Sequence, residues 1–174
     1  AIVEPNATLG GECLHSSCIP SKAALFGKTI EERTNSIESL ARGLDQRCAS
    51  LGIERLCGLA HFENSKTVQI TGETVSIVRF RKAIIATGSS KRRHDDFQTP
   101  VHQVEEVYGD FPASGNILLV GDNANAVEAA TYLGQTHNIT LQVEGVLLPE
   151  FDSLLVKFVE RDLSKFITIC NQHD

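Results

Sequence analysis

The segment that most constrains this chain is residues 10–22, which read Gly-Gly-Glu-Cys-Leu-His-Ser-Ser-Cys-Ile-Pro-Ser-Lys. In a regular helix, which rises about 1.5 Å per residue, Cys13 and Cys18 would lie roughly 7.5 Å apart along the axis. A disulfide tolerates a Cα separation of up to about 7 Å, so a bridge needs a distorted turn. Pro20 and the two small serines permit such a turn. Two unrelated buried thiols, or half of a metal site, would give the same spacing, although the second ligand pair of a structural zinc site is missing.

The flanking residues of this segment resemble the active-site signature of the flavin-dependent disulfide reductases. That signature runs Gly-Gly-x-Cys-x4-Cys-Ile/Val-Pro-Ser-Lys, and the form here is nearest the dihydrolipoamide dehydrogenases and mercuric reductases. The chain departs at two positions, because His15 replaces a usual Asn and Ser17 a usual Gly. The resemblance implies that Cys13 exchanges with substrate. It also implies that Cys18 is a thiolate facing a flavin, with its pKa lowered by the helix N-terminus and Lys22.

Composition excludes some classes of partner and indicates a cellular compartment. The chain has 174 residues, of which 41% are hydrophobic, and this is enough for a buried core. Its formal net charge is −6 without a basic block, so we expect no nucleic-acid partner. We also expect no membrane span and no metal site, since no apolar run approaches about 20 residues and there is no second ligand pair. Five cysteines, too few for a secreted disulfide scaffold, indicate a reducing, cytoplasmic compartment, and Cys48, Cys57 and Cys170 are predicted to be buried.

Hydrophobic periodicity predicts an α/β fold. It favours a helix over 21–51, broken near Asn35 or Gly43, and strands at 53–61, 67–70 and 74–85. The later part of the chain predicts strand, helix, strand and amphipathic helix, at 117–120, 124–133, 140–144 and 152–166. The last helix should bury one side that carries Leu154, Leu155, Phe158, Val159 and Leu163.

The strand–glycine–helix–strand–acid order of residues 117–144 is that of a dinucleotide-binding unit. The fingerprint Gly-x-Gly-x-x-Gly falls on Gly121, Asn123 and Ala126. Alanine is an allowed variant at the third position, but asparagine replaces the glycine that lets the backbone approach a pyrophosphate. Glu144 stands where an acid would bond a ribose hydroxyl and favour NAD over NADP. A βαβ unit kept for packing, without a nucleotide, has the same pattern.

The family resemblance continues beyond residues 10–22 and implies FAD and NAD as cofactors. It places Thr87 and Gly88 near the flavin and Glu4 on the FAD ribose, with Gly10 and Gly11 also on the FAD side. On the nucleotide side it assigns Gly121, Ala126 and Glu144. It further implies an ion pair between Lys22 and Glu128 beside the flavin ring. We therefore expect these two side chains within about 4 Å, or facing each other across a space sized for a flavin.

The resemblance also predicts the domain organisation. We expect an incomplete FAD-binding Rossmann-like domain over 1–90, a linker over 91–115, and a partial NAD-binding βαβ domain over 116–174. The family's N-terminal FAD glycine turn and its C-terminal dimerisation domain have no counterpart here, so we expect a fragment, a truncated relative or a degenerate copy of a homodimeric enzyme.

Two functions remain open from the sequence. The first is a flavoprotein disulfide oxidoreductase that passes electrons between NAD(H), FAD and a Cys13–Cys18 disulfide. Its Ile-Pro-Ser-Lys ending favours a lipoyl-type substrate, with another small disulfide or mercuric ion as alternatives. The second is a truncated, non-catalytic remnant with a nucleotide-binding-type fold.

Overall fold

A computed structural model of the chain describes residues 1–72, 76–90, 100–112 and 114–171, which divide into two compact units. The first unit contains Ala1–Gly11 and Glu38–Val101, and the second contains Glu12–Ile37 and the described residues from His102 onward. Both parallel and antiparallel sheets are present together with helices, so the predicted α/β class is confirmed. Residues 12–37 group with the second unit, while the predicted domains 1–90, 91–115 and 116–174 stay a prediction.

The first unit contains two small sheets. Strands β1 (Ile2–Glu4) and β2 (Arg55–Cys57) pair in parallel, whereas β3 (Leu59–Asn64), β4 (Thr67–Thr71) and β5 (Ser76–Arg79) form an antiparallel sheet. The predicted strand 53–61 is therefore split between two sheets. The division falls at Gly58, where an added Cβ would lie 2.6 Å from the carbonyl oxygen of Thr71. Only glycine allows the backbone to pass so closely, which explains the change of sheet.

The predicted strand 74–85 is wrong over its second half. Strand β5 ends at Arg79, and residues 81–90 have no regular secondary structure. The last ladder bond runs from the Phe80 N–H to the carbonyl of Lys66, and no described strand pairs with the residues that follow. Ile84 and Ile85 are consequently 94% and 72% exposed. Strand propensity alone does not hold a segment extended in a sheet without a partner for its backbone.

Three helices follow β1: α1 (Gly11–His15), α2 (Cys18–Leu25) and α3 (Ile30–Ser50). The predicted break near Asn35 or Gly43 is wrong, because α3 runs through both positions. The interruption lies instead at Gly27, whose φ is 76°. A capping box fixes the start of α3: the Thr29 hydroxyl accepts from the Glu32 N–H at 3.2 Å, and the Glu32 carboxylate accepts from the Thr29 N–H at 2.9 Å.

The second unit is built on a three-stranded parallel sheet. Its elements are β6 (Asn116–Val120), α4 (Ala124–Leu133), β7 (Asn138–Val143), α5 (Ser153–Leu163) and β8 (Thr168–Asn171), with strand order β6-β7-β8. A 3₁₀ helix, Val104–Tyr108, precedes them. The core is formed by small residues of α4 and branched residues of β7, among them Ala126, Ala129, Ala130, Leu133, Ile139, Leu141 and Val143. Alanines on α4 let the helix approach the sheet closely, which positions its N-terminal turn.

Two burial predictions are corrected by the structure. Helix α5 buries Val156 and Leu163, with Val159 partly buried, because its i, i+3, i+7 stripe faces the core. Leu154, Leu155 and Phe158 lie outside that stripe and are more than half exposed. None of the three isolated cysteines is fully buried either, since Cys57 is exposed and Cys48 and Cys170 are half-buried.

Candidate thiol site and nucleotide turn

The two cysteines of the signature lie on either side of a break between short helices. Cys13 belongs to α1 and Cys18 is the first residue of α2. The backbone N–H groups of Ser16 and Ser17 both bond the Glu12 carbonyl at 2.9 Å, which ends α1 and turns the chain. The second cysteine lies at a helix start, as the resemblance implies, and the break between the helices supplies the kind of turn that a bridge needs. Both thiols are exposed, and each shifts the pKa of the other.

The hydrogen bond between the thiols separates their acidities. It is the largest cause that lowers the pKa of Cys18 and the largest that raises the pKa of Cys13, because Cys13 keeps its proton and donates it to the Cys18 sulfur. A hydrogen bond from the Ser17 hydroxyl lowers the pKa of Cys18 further, and the charge of Lys22 adds to it. Of the two thiols, Cys18 therefore ionises first as the pH rises, and Cys13 keeps its proton to higher pH. A pair with unequal acidities of this kind is suited to thiol–disulfide exchange.

Lys22 and Glu128 meet in the second unit, as the sequence predicts. The Lys22 ammonium donates to both carboxylate oxygens of Glu128, at 2.6 and 2.8 Å, although the residues are 106 positions apart. Lys22 lies one turn after Cys18 on α2, and Glu128 lies on the second turn of α4. The two helices are in contact, and each carries small buried residues, among them Ser21 and Ala24 on α2 and Ala129 on α4. Because the lysine side chain is half exposed, this pair alone contributes under about 1 kcal/mol to folding.

A narrow crevice joins the thiol site to this ion pair. It is lined by Cys18, Lys22 and Glu128, together with Ser17, Ser21, Val104, Glu105, Tyr108 and Asn125. Tyr108 is 5% exposed, and its hydroxyl has no hydrogen-bond partner among the described residues. Burial first, and then the charge of Glu128, raise the pKa of Tyr108 above its usual range, so it remains a proton donor.

Sequence reasoning missed the role of Ser17 and Tyr108 in this crevice. The serine had a signal, because it departs from the glycine that the family signature carries at that position. The tyrosine had none. It lies in a 3₁₀ helix, Val104–Tyr108, that no hydrophobic periodicity marks, and it reaches the crevice only through tertiary packing against α2 and α4.

The nucleotide-type turn lies between β6 and α4. Gly121 has a φ of 156°, and a Cβ added there would lie 3.1 Å from the Ala126 Cβ, so the first and third fingerprint positions are in close approach. Asn123 caps α4, and its side-chain oxygen accepts from the Ala126 N–H at 3.1 Å. Glu144 is exposed just beyond the carboxyl end of the neighbouring strand β7. This is the place of the ribose-binding acid in a dinucleotide unit.

The residues assigned to FAD all lie in the first unit. Glu4 ends β1, and its carboxylate accepts from the Asn6 backbone and side chain at 3.0 and 2.7 Å. Gly10 and Gly11 have φ values of 128° and 59°, where only glycine is unstrained. Thr87 and Gly88 are exposed in a segment without regular structure. Cys13, Cys18, Lys22 and Glu128 therefore all belong to the second unit. The residues assigned to FAD belong to the first unit.

The two cofactors fit these residues to different degrees. A cationic Lys22 held by Glu128 next to a low-pKa thiolate suits a flavin, whose ring gains negative charge on reduction. At the βαβ turn the fit is poorer, because the Asn123 side chain already takes a helix N-terminal amide that a pyrophosphate would use. Within the described part of the chain, no three His, Cys, Asp or Glu side chains form a group that could hold a metal ion. No described helix is long and apolar enough to cross a membrane.

Comparison with known proteins gives a consistent family. The chain is 25% identical to the dihydrolipoyl dehydrogenase of Geobacillus stearothermophilus and 27% identical to that of Vibrio cholerae, over 94% and 95% of its length. It is 31% identical to the mitochondrial dihydrolipoyl dehydrogenase of Caenorhabditis elegans over 50% of its length. The chain spans only 41% and 42% of the first two relatives, and no family profile matches it. These similarities confirm the resemblance to the dihydrolipoyl dehydrogenases among the flavin-dependent disulfide reductases over nearly the whole chain.

Proposed function

We propose that this chain carries the thiol–disulfide site of a flavin-dependent disulfide oxidoreductase of the dihydrolipoyl dehydrogenase type. In this proposal Cys13 and Cys18 alternate between a dithiol and a disulfide, and the substrate is a lipoyl-type or other small disulfide. The observation that carries the proposal is the placement of two exposed cysteines at one helix break, with Cys18 at the start of α2 and opposite shifts of the two pKa values. Two unrelated buried thiols would not be exposed together at such a break.

The arrangement supplies a path for the proton that exchange requires. Cys13, the proposed interchange thiol, can pass its proton along the hydrogen bond to the Cys18 sulfur as it attacks a substrate disulfide. One substrate sulfur then leaves as a thiolate, and a mixed disulfide forms on Cys13. After Cys18 loses that proton to the leaving group, its thiolate attacks Cys13 and releases the second substrate sulfur as a thiolate, which takes up a proton from water. The substrate gains two electrons, and the chain is left with the Cys13–Cys18 disulfide.

The chemistry that FAD supplies when bound is acceptance of an electron pair and its transfer to or from a nicotinamide nucleotide. Glu4, Gly10, Gly11, Thr87 and Gly88 are the residues proposed to hold it. Lys22 would present a fixed positive charge beside the thiolate, and Glu128 would hold that charge in place. Gly121, Ala126 and Glu144 are proposed for NAD, with the Asn123 cap as an obstacle. Homodimer formation and a cytoplasmic location remain predictions.

The thiol step is tested by equilibrating the chain in glutathione redox buffers, trapping free thiols by alkylation, and mapping the cysteines by mass spectrometry. Cys13 and Cys18 should disappear together as free thiols at one redox ratio. Cys57, which is also exposed, should behave independently and serves as the internal control. A chain in which Cys13 and Cys18 are modified independently at every ratio contradicts the proposal.

The alternative is a non-catalytic remnant, and the Asn123 cap at the nucleotide turn favours it. Reconstitution with FAD separates the two functions. After excess cofactor is removed, retained flavin absorbance in the visible range supports the oxidoreductase. A chain that forms the disulfide but retains no flavin would keep only the thiol chemistry, and the flavin part of the proposal would be wrong.

A further inference from the structure

Ser17 stands at the N-cap of α2, but its side chain does not cap the helix. An N-cap serine usually accepts a hydrogen bond from the amide two or three positions on. Here the third position is Pro20, which has no N–H, and the Ser17 side chain makes no capping bond. The hydroxyl instead donates to the Cys18 sulfur, with an oxygen–sulfur distance of 3.5 Å. The proline of the signature thus leaves this serine available to the cysteine.

The Ser17 hydrogen bond has a larger effect on the acidity of Cys18 than the charge of Lys22 does. The Lys22 ammonium is bound to both oxygens of Glu128, so much of its charge is neutralised. Cys18 is exposed, and water screens charges that do not touch it. In line with this, the Cys13 and Ser17 hydrogen bonds lower the pKa of Cys18 more than the charge of Lys22 does. The acidic groups around the crevice, Glu105 and Glu128, act against a thiolate.

We propose that Ser17 tunes the redox equilibrium of the cysteine pair. Its hydroxyl donates to the Cys18 thiolate of the dithiol form, and it has a much weaker acceptor in the disulfide. The serine therefore stabilises the reduced pair and makes the disulfide easier to reduce than it would be with the family's usual glycine. This proposal rests on the proposed thiol–disulfide function. The measured reaction consumes the Cys13 thiol, the Cys18 thiolate, one glutathione disulfide and one proton, and it yields the protein disulfide and two glutathione thiols.

The test compares Ser17→Ala and Ser17→Gly with the unmodified chain in glutathione redox buffers. Both variants should shift the equilibrium towards the protein disulfide by about threefold, which corresponds to about 14 mV at roughly 30 mV per tenfold change for two electrons. Ser17→Thr keeps a hydroxyl and should restore the original equilibrium. Ser16→Ala is the matched control, because the Ser16 hydroxyl bonds the Glu12 carbonyl at 3.3 Å and should leave the equilibrium unchanged.

A second measurement keeps the test independent of disulfide formation. The rate of Cys18 alkylation is followed against pH, and loss of the Ser17 hydroxyl should move its midpoint to higher pH. If no variant forms the disulfide but the midpoint still moves, the proposed function fails and the Ser17–Cys18 bond stands. If Ser17→Ala and Ser17→Gly match the unmodified chain in both measurements, the proposal for Ser17 is wrong.

Discussion

The N-termini of α2 and α4 lie in the same unit and carry the two motifs of the chain, but their polar groups are used in opposite ways. At α2 the N-cap side chain, Ser17, bonds the Cys18 sulfur, and the third helical position is a proline without an N–H. At α4 the N-cap side chain, Asn123, bonds the N–H of the third helical residue, Ala126. The Ser17 hydroxyl at α2 donates to a reactive sulfur, whereas the Asn123 side chain at α4 accepts from the backbone of its own helix.

This difference shows how two departures from one family pattern can have unlike consequences. A helix N-terminus attracts negative charge through its free amides and its dipole. At α2 that attraction acts on a thiolate, and the replacement of glycine by Ser17 adds a donor. At α4 the replacement of glycine by Asn123 supplies an acceptor from within the chain, where the fingerprint leaves room for a phosphate. The first substitution extends the site, whereas the second competes with its proposed ligand.

Removal of the thiolate should have the largest effect. Cys18→Ser should abolish the disulfide in glutathione buffers and remove the most reactive thiol at neutral pH. The reason is that a thiol with a lowered pKa is ionised at lower pH, so its alkylation rises at lower pH than that of Cys13, whose pKa is raised. Timed alkylation followed by peptide mapping gives the order of reaction.

Cys57→Ser is the control for that experiment, because this exposed cysteine lies in the other unit. It should change neither the disulfide nor the reactivity of Cys18. Faster alkylation of Cys13 than of Cys18 at neutral pH would reverse the assignment of thiol and thiolate. The N-terminus of α2 would then not stabilise a thiolate, and its contrast with the capped N-terminus of α4 would be lost.

The next effect concerns the rigidity of the α4 turn. Gly121→Ala should destabilise the chain by about 1–3 kcal/mol, because the new Cβ would lie 3.1 Å from that of Ala126 and the φ of 156° disfavours a side chain. Gly43→Ala, on the exposed interior of α3 where an added Cβ meets nothing within 4 Å, should instead stabilise by about 0.5–1 kcal/mol. Urea unfolding of both variants measures the difference, and equal stabilities would mean that the turn is not tightly packed.

The sequence predicted the second unit better than the first. The βαβ pattern of residues 117–144 was correct within two residues at each boundary, because its apolar runs are buried against one another locally. The single strand predicted over 53–61 is two strands in different sheets, separated at Gly58, and residues 81–85 were given a strand that they do not form. Those errors concern which strand pairs with which, and pairing depends on partners distant in sequence.

The candidate site was predictable where a motif carried it. The spacing and flanks of Cys13 and Cys18 indicated a broken helix, and the family pattern placed Lys22 beside Glu128. The direction of the Ser17 hydroxyl was beyond sequence reasoning, because it depends on the backbone geometry at the break between α1 and α2. The Asn123 cap was accessible in principle, since asparagine immediately before a helix is a common N-cap.

Substitution of Asn123 tests the contrast between the N-termini of α2 and α4 directly. Asn123→Ala should cost about 1 kcal/mol, since the cap to Ala126 is lost, whereas Asn123→Gly should cost only a few tenths. The glycine variant also frees the Ala126 N–H and restores the second fingerprint glycine, so it should bind NADH more tightly in a fluorescence titration. Asp152→Gly is the control, because it removes the cap of α5 at the Leu154 N–H without touching the nucleotide turn. Unchanged NADH binding in Asn123→Gly would show that the cap is not the obstacle.

The smallest expected effect is the coupling between Lys22 and Glu128. A double-mutant cycle with Lys22→Met and Glu128→Gln should give about 0.5–1 kcal/mol, because the carboxylate is only 23% exposed while the lysine is 50% exposed. The Lys28–Glu32 pair, at 2.8 Å and about half exposed on both sides, is the matched control and should couple more weakly. Salt should reduce the control coupling more strongly, since exposed charges are screened first.

The same variants show whether the ion pair serves the thiolate or only the packing of α2 on α4. Glu128→Gln frees the Lys22 charge, so the pH midpoint of Cys18 alkylation should fall, whereas Lys22→Met should raise it. A purely structural pair would change the unfolding free energy in both variants and leave the alkylation midpoint in place. If the two variants shift the alkylation midpoint in opposite directions while the coupling energy stays small, the pair acts mainly on the ionisation of the Cys18 thiol and little on stability.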